Sequence, residues 1–194
     1  MSKGFTLLEI LISMAILTGV VFAISSFGLD AFDFGIFLGE NLTAQQEIQL
    51  TLKSMTSEVR AMTQSVSGSY PIESASQNSI TFYSDIDGNG LSEKIRYYLQ
   101  GNTFYKGTIE ASGNPLIYDI ANEKVSEMIH NIYAPAGNIF SYYDGDYSGT
   151  EPELPFPVNI PEIRLVEISI TVDSNPVNPT SRINFSTSVN MRNL

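Results

Sequence analysis

The sequence predicts an α+β fold in which one long N-terminal helix precedes an antiparallel β-sheet. No proline occurs before Pro71, so no residue ahead of it lacks the backbone N–H that a helix interior requires. Between Ile48 and Met62, apolar residues recur at spacings of three and four, the period of an amphipathic helix. Beyond Asn78, short alternating runs separated by Gly, Pro and Asn are typical of antiparallel strands joined by turns.

The first part of the predicted helix is almost purely apolar. Within residues 5–29, Glu9 is the sole charged side chain. About 25 helical residues span roughly 37 Å, enough to cross a hydrocarbon core of ~30 Å. A lone carboxylate in such a segment is costly in lipid, so we expect Glu9 to have a function. At the end of this segment and beyond it, Gly28, Gly35 and Gly39 each weaken a helix by ~1 kcal/mol relative to alanine.

The second part of the helix carries the amphipathic stripe, which we expect to pack against the protein's own sheet. The stripe consists of Ile48, Leu52, Met55, Val59 and Met62. The Ser-rich segment 65–78 predicts a loop. The predicted strands cover residues 79–84, 94–100, 103–106, 116–118, 125–133, 139–143, 163–172 and 182–191.

Composition narrows the function classes. The net charge of −11 argues against nucleic-acid binding, which needs a basic face. With no cysteine and a single histidine, the chain has no thiol nucleophile and no Cys-based zinc site. Motifs for phosphate loops, Gly-x-Ser-x-Gly hydrolases and zinc proteases are also missing. We therefore predict that the chain is not an enzyme.

One acidic segment between predicted strands is a candidate calcium loop. Oxygen-bearing side chains at alternate positions, followed by Gly90, match the first half of an EF-hand-type loop. The candidate ligands are Asp85, Asp87, Asn89, Leu91 and Glu93. Arg96 stands where such a loop places its closing bidentate acid. The alternative is an ordinary turn, because Asp-Gly and Asn-Gly are favoured turn pairs.

A second acidic segment has a weaker pattern of the same kind. Asp144, Asp146 and Ser148 alternate with other residues before Gly149. We consider it a further candidate calcium loop, with a turn again as the alternative.

The chain reads Lys-Gly-Phe-Thr-Leu-Leu-Glu over residues 3–9 and continues into the apolar segment. This start resembles the N-terminal motif of type IV pilin-like proteins, which include pilins, minor pilins and the pseudopilins of type II secretion. The resemblance implies cleavage between Gly4 and Phe5 by a prepilin peptidase, followed by N-methylation of Phe5. It also implies a pilin-like architecture with a leader at 1–4, a transmembrane or filament-core helix at 5–29, its amphipathic continuation at 30–64 and a β-rich head at 65–194.

Glu9 has a physical role in such an assembly. After cleavage, Phe5 carries a positive amine that the Glu9 carboxylate of a neighbouring subunit can pair with in the filament core. The partners implied are other pilin-like subunits, the prepilin peptidase, membrane lipid and the inner-membrane assembly machinery. Lys3 favours a cytoplasmic N-terminus, which places the acidic head outside a single-pass inner-membrane anchor.

The head contains four passages of note: Phe-Ser-Tyr-Tyr-Asp at 140–144, Leu-Pro-Phe-Pro at 154–157, a strand-like run at 163–168 and a terminal run that ends in Arg-Asn at 188–193. These dispersed passages resemble J-type pseudopilins and similar minor pilins. The resemblance implies a minor subunit at or near a filament tip that helps to initiate assembly. Two alternatives stay open: a type IV minor pilin acting as an adhesin or uptake factor, and a membrane-anchored extracytoplasmic domain that never polymerises. An ordinary signal peptide fits less well, since Glu9 interrupts its apolar region.

Overall fold

The computed structural model describes residues 6–133, 137–173 and 182–191, with the backbone alone for part of 30–44. The chain divides into two compact units, Met1–Thr43 and Ala44–Leu194. Helix α1 (Leu7–Arg60) is followed by strands β1 (Ile72–Ala75), β2 (Ser79–Ser84), β3 (Glu93–Gln100), β4 (Thr103–Ile109), β5 (Lys124–Ile129), β6 (Phe140–Tyr143), β7 (Leu165–Asp173) and β8 (Arg182–Asn190). Short 3-10 helices lie at Ile120–Asn122 and Ile160–Glu162.

The predicted α+β fold is confirmed. Helix α1 contains 54 residues and has no break at Gly28, Gly35 or Gly39. Within the described residues, all strand pairs are antiparallel and form two sheets, a five-stranded sheet of order β1-β2-β3-β4-β5 and a three-stranded sheet of order β6-β7-β8. A hydrogen bond from the Tyr142 hydroxyl on β6 to the Ser76 carbonyl, at 2.9 Å, links the second sheet to the turn after β1.

The core of the second unit forms where the amphipathic stripe of α1 meets both sheets. The five stripe residues, Ile48, Leu52, Met55, Val59 and Met62, are all buried, as predicted, although α1 ends at Arg60 and Met62 lies just beyond it in an isolated bridge with Ser84. They share one apolar cluster with side chains of the strands, among them Phe82, Tyr97, Phe140 and Ile168. Burial of apolar surface on both partners stabilises this contact.

A polar anchor reinforces the contact between the helix and the sheet. The Glu58 carboxylate accepts hydrogen bonds from the hydroxyls of Ser54, at 2.9 Å, and Tyr97, at 2.8 Å. The Lys106 ammonium on β4 lies 2.6 Å from the same carboxylate. Burial and the negative charge of Glu58 both raise the pKa of Tyr97, which therefore stays a neutral donor.

The structure corrects several of the predicted boundaries. The segment 65–78, predicted as a loop, contains β1, which pairs with β2. Residues 116–118 form no strand, and Ile117 makes only an isolated bridge with Ser112. Strand β5 ends at Ile129, and Asn131 adopts a left-handed conformation (φ 58°) that ends the run predicted for 125–133. Because these segments are short, their conformation depends on tertiary contacts more than on local propensity.

Candidate functional site

Three regions contain the residues that the sequence singled out: the N-terminal end of α1, the turn between β2 and β3, and the acidic loop that follows β6. Gly4 and Phe5, the expected cleavage and methylation site, lie outside the described residues. The described part of the chain begins at Thr6, immediately before the helix.

Glu9 lies in the first turn of α1 and caps its own helix. The Thr6 N–H and hydroxyl both donate to Glu9 Oε2, at 2.9 and 3.0 Å, while the Glu9 N–H donates to the Thr6 hydroxyl at 3.3 Å. This reciprocal arrangement is a capping box, and its signature, Thr-x-x-Glu, is readable in the sequence. The box provides donors for the carboxylate within a single subunit.

The segment that follows is suited to an apolar environment. Residues Leu7–Leu29 form 23 helical residues that are long and apolar enough to cross a membrane, and none of the segment is buried. The hydroxyls of Ser13 and Thr18 donate to the carbonyls of Glu9 and Met14, at 2.7 and 2.8 Å. These bonds satisfy the hydroxyl protons inside the helix, as a lipid environment requires. So large an exposed apolar surface needs lipid or other helices to cover it.

The β2–β3 turn brings three of the predicted calcium ligands together. Each of Asp85, Asp87 and Glu93 offers a carboxylate oxygen, and these oxygens lie within 4.8 Å of one another. The β2–β3 register causes this, because Ser84 pairs directly with Glu93 and so places Glu93 beside the start of the turn.

Backbone N–H groups hold the turn closed. Asp85 accepts from the N–H of Gly88 at 2.8 Å and of Gly90 at 2.9 Å. Both glycines have positive φ, at 74° and 88°, a conformation that side chains with a Cβ rarely adopt. The Asp87 carboxylate accepts from the backbone and side chain of Asn89. The loop is therefore a hydrogen-bonded turn, and the same loop also brings three carboxylates close together.

Asn89 and Leu91 lie differently from the three acids. The Asn89 side-chain oxygen accepts from the Leu91 N–H at 2.7 Å, and its amide donates to Asp87. The Leu91 side chain is exposed, so a contribution to a metal would come from its backbone carbonyl, as in EF-hand loops. Their part as ligands stays a prediction.

Glu93 is unusual within this group because it is a buried acid. Its Oε2 accepts from the Ile86 N–H at 2.9 Å. Burial raises the pKa of Glu93, and the nearby charges of Asp87 and Asp85 raise it further, against the opposing effect of the Ile86 hydrogen bond. The site thus concentrates negative charge around a desolvated carboxylate.

The second acidic loop is organised around Glu151. Asp144 accepts from the Asp146 N–H at 3.1 Å, which is a local turn. The Ser148 hydroxyl and N–H both donate to Glu151, at 2.7 and 2.6 Å. These bonds lower the pKa of Glu151 to about 2. Within the described residues, this loop contains no group of three acids at metal-ligand spacing.

Comparison with known proteins is informative for the start of the chain. Residues 1–18 match the family model of the prokaryotic N-terminal methylation motif. No curated protein matches the chain. The motif match supports the type IV pilin-like family, whose members are structural subunits, and indicates a precursor that a prepilin peptidase processes and that assembles with other pilins. Together with the apolar helix, it indicates membrane anchoring.

Proposed function

We propose that this chain is a minor pilin-like subunit, most similar to J-type pseudopilins, of a type II secretion pseudopilus or a type IV pilus. The observation that carries the proposal is the methylation motif at residues 1–18, which runs directly into the unburied apolar helix Leu7–Leu29. In a soluble domain this apolar surface would be exposed to water, which is unfavourable, whereas a filament core buries it between subunits. The subunit acts at or near the filament tip and helps to initiate assembly.

In this proposal the chain is organised into four parts. Residues 1–4 are the leader removed between Gly4 and Phe5, and residues 5–29 form the membrane and filament-core helix. Residues 30–64 contain the amphipathic continuation of the helix, which ends at Arg60, and residues 65–194 form the extracytoplasmic head. The subunit waits in the inner membrane with its head outside until the assembly machinery extracts it.

Glu9 acts in docking. In the single subunit its carboxylate is held by Thr6, at 2.9 and 3.0 Å. The Thr6 donors are neutral, whereas a neighbouring subunit brings the charged Phe5 amine, which adds the attraction between two full opposite charges to the hydrogen bond. The carboxylate therefore gains by pairing with the neighbour, and this pairing sets the register between subunits.

Two other functions remain as alternatives. In the first, the head of a type IV minor pilin binds a surface or assists uptake; its net charge disfavours direct contact with DNA. In the second, the chain is an anchored extracytoplasmic domain that never polymerises. Replacing residues 5–29 with a generic transmembrane helix separates the second alternative, because an anchored domain keeps its function and a filament subunit loses it.

Intact mass spectrometry of the membrane-extracted protein, expressed with and without a prepilin peptidase, tests the processing step. We expect a product that begins at Phe5 and carries one added methyl group only when the peptidase is present. An uncut chain, or one cut after the apolar segment, would contradict the proposal.

Assembly is tested with Glu9→Gln, and Glu47→Gln, an exposed acid on the same helix, is the control. We expect Glu9→Gln to be processed normally but to enter sheared filaments at least about tenfold less, since the charge pair is lost. The control should assemble as the wild type does. Normal assembly of Glu9→Gln would show that the pairing is not needed.

A further inference from the structure

A groove of about 590 Å³ lies between the C-terminal part of α1 and strand β8, within the second unit. Its apolar lining comes from Leu52 and Phe185, which pack in or against the core. Strand β8 lines it with three consecutive residues, Phe185, Ser186 and Thr187. Because consecutive residues of a strand face opposite sides of a sheet, a run of three places the groove along the edge of β8.

This edge of β8 is open to pairing. Strand β8 is the last strand of its sheet, and it pairs with β7 over nine residues without a register shift. Among the other described edge strands, β1 and β5 have register shifts in their pairing, and β6 is four residues long. Bulges and short length usually keep an edge from pairing with another chain, so the regular edge of β8 is a template for one more strand.

The helix side of the groove carries two cations, Lys53 and Arg60. Both are exposed, and neither forms an ion pair or a side-chain hydrogen bond within the ranges that the structure describes. The other described Lys and Arg side chains have partners, which are acids for Lys94, Arg96, Lys106, Lys124 and Arg182 and backbone carbonyls for Arg164. In a chain of net charge −11, two such cations in one groove favour an acidic occupant.

The spacing of the two cations indicates the pattern of that occupant. Lys53 and Arg60 are two helical turns apart, so they share one face of α1 and lie roughly 10.5 Å apart along its axis. Two acids four residues apart on one face of an extended strand span roughly 13 Å, which long Lys and Arg side chains can bridge. The residue midway between them then faces the apolar lining. The groove therefore fits an acid-x-apolar-x-acid segment.

A second copy of this chain does not offer such a segment. The pattern occurs at residues 119–123 and 123–127, and both runs use Glu123. The Glu123 carboxylate is 2.9 Å from Arg96, and its side chain is only 11% exposed. The acid is therefore already engaged within its own subunit.

We propose that this groove binds an extended acidic segment of a different, neighbouring filament subunit, which adds to the edge of β8 as a further strand. The inference rests on the proposed function, because that function provides the neighbour. Lys53 and Arg60 pair with the two acids, and Leu52 and Phe185 contact the apolar side chain between them. Main-chain hydrogen bonds to β8 provide affinity, as in other complexes formed by strand addition.

Fluorescence anisotropy of a labelled peptide, Thr-Glu-Thr-Val-Thr-Glu-Thr, with the full chain in detergent micelles tests the groove. We expect saturable binding that weakens when NaCl is raised from about 50 mM to about 300 mM. A peptide with glutamine in place of both glutamates should not bind measurably. Replacing the valine and one adjacent threonine with proline keeps both charges but removes a backbone donor from each edge of the peptide strand, so this peptide should also lose binding.

Variants of the protein locate the binding. Lys53→Gln combined with Arg60→Gln should weaken binding by about five- to thirtyfold, because two charge pairs are lost. Lys124→Gln, at an exposed cation outside the groove, should bind as the wild type does. No binding by the wild type, equal binding of the glutamine or proline peptide, or unchanged binding by the double variant would overturn the proposal.

The source of the segment is tested in assembled filaments. Because the chain has no cysteine, Ser186→Cys provides a single position for a photo-cross-linker beside the groove. We expect a cross-link to an acidic segment of another filament subunit; a cross-link to a second copy of this chain, or none to any subunit, would overturn the proposal. The peptide assay needs no filament, so its failure beside normal cleavage at Phe5 and normal assembly would reject this inference and leave the proposed function standing.

Discussion

Replacing Lys106 with methionine tests whether the ion pair with Glu58 joins the helix to the sheet. The side chains of Lys106 and Glu58 are 16% and 11% exposed, and their charged atoms are 2.6 Å apart. Methionine keeps most of the apolar stem of Lys106 but removes the cation, whose Nζ lies 5.7 Å from the centre of the Tyr97 ring. The Glu58 carboxylate is then left with the hydroxyls of Ser54 and Tyr97 as its donors.

The expected loss in the free energy of unfolding follows from burial. Removing one partner of a fully buried pair costs about 3–5 kcal/mol, because the other charge stays buried without its counter-ion. Here some exposure and two hydroxyl donors remain, so we expect about 2–3 kcal/mol. Urea unfolding of the full chain in detergent micelles, followed by tyrosine near-UV circular dichroism, measures this loss.

Lys124→Met is a matched control. The Lys124–Glu110 pair has the same 2.6 Å separation, but its side chains are 73% and 63% exposed. Exposed pairs contribute little, so no measurable change in the free energy of unfolding is expected. Adding Glu58→Gln to Lys106→Met should restore about 1–2 kcal/mol, because the unpaired charge is gone. Equal losses for Lys106→Met and Lys124→Met, or no recovery in the double variant, would refute the reasoning.

Three further predictions concern the second unit, Ala44–Leu194. Met55→Ala, at a position that is 0% exposed, should lower the free energy of unfolding by about 2–5 kcal/mol in the same urea assay, because it opens a cavity in the core. Gly107→Ala should cost about 1 kcal/mol, since a Cβ there overlaps the Glu123 side chain, and Glu123→Ala should remove that cost. By carbon NMR titration, Glu151 should have a pKa of about 2, and Ser148→Ala should raise it toward the ordinary 4.5. Because this folded-state pKa lies below the unfolded value, the Glu151 contribution to stability is present above pH 4.5 and is lost as the pH falls toward 2.

Controls for these predictions come from the same chain. Leu50→Ala, at an exposed position of the same helix, should change the free energy of unfolding by less than about 0.5 kcal/mol. A loss as large as that of Met55→Ala would show that the stripe does not face the core. If Glu123→Ala leaves the cost of Gly107→Ala unchanged, the close approach to Glu123 is not its cause. A Glu151 pKa near 4.5 in the wild type would show that the hydrogen bonds from Ser148 to the Glu151 carboxylate do not persist in solution.

Local patterns in the sequence predicted the elements that depend on neighbours along the chain. The spacing from Ile48 to Met62 predicted five buried residues, and all five are buried, four of them on α1 and Met62 just beyond its end. The capping box of Thr6 and Glu9 was readable in the same way, although it was not among the predictions. Strand β1 was missed because four residues carry too little pattern, and its pairing with β2 decides its conformation.

The candidate sites likewise combine local features, which the sequence predicts, with contacts that depend on the tertiary structure. The cleavage motif, the apolar helix and the alternating acids of the β2–β3 turn are local features, and the sequence by itself determined them. Only the tertiary structure decided that Glu93 lies beside Asp85, because that contact depends on the register of β2 against β3. The burial of Glu93 and the pairing of Arg96 with Glu123 also come from strands that meet in space. Burial and charge pairing depend on distance through space, which sequence periodicity does not specify.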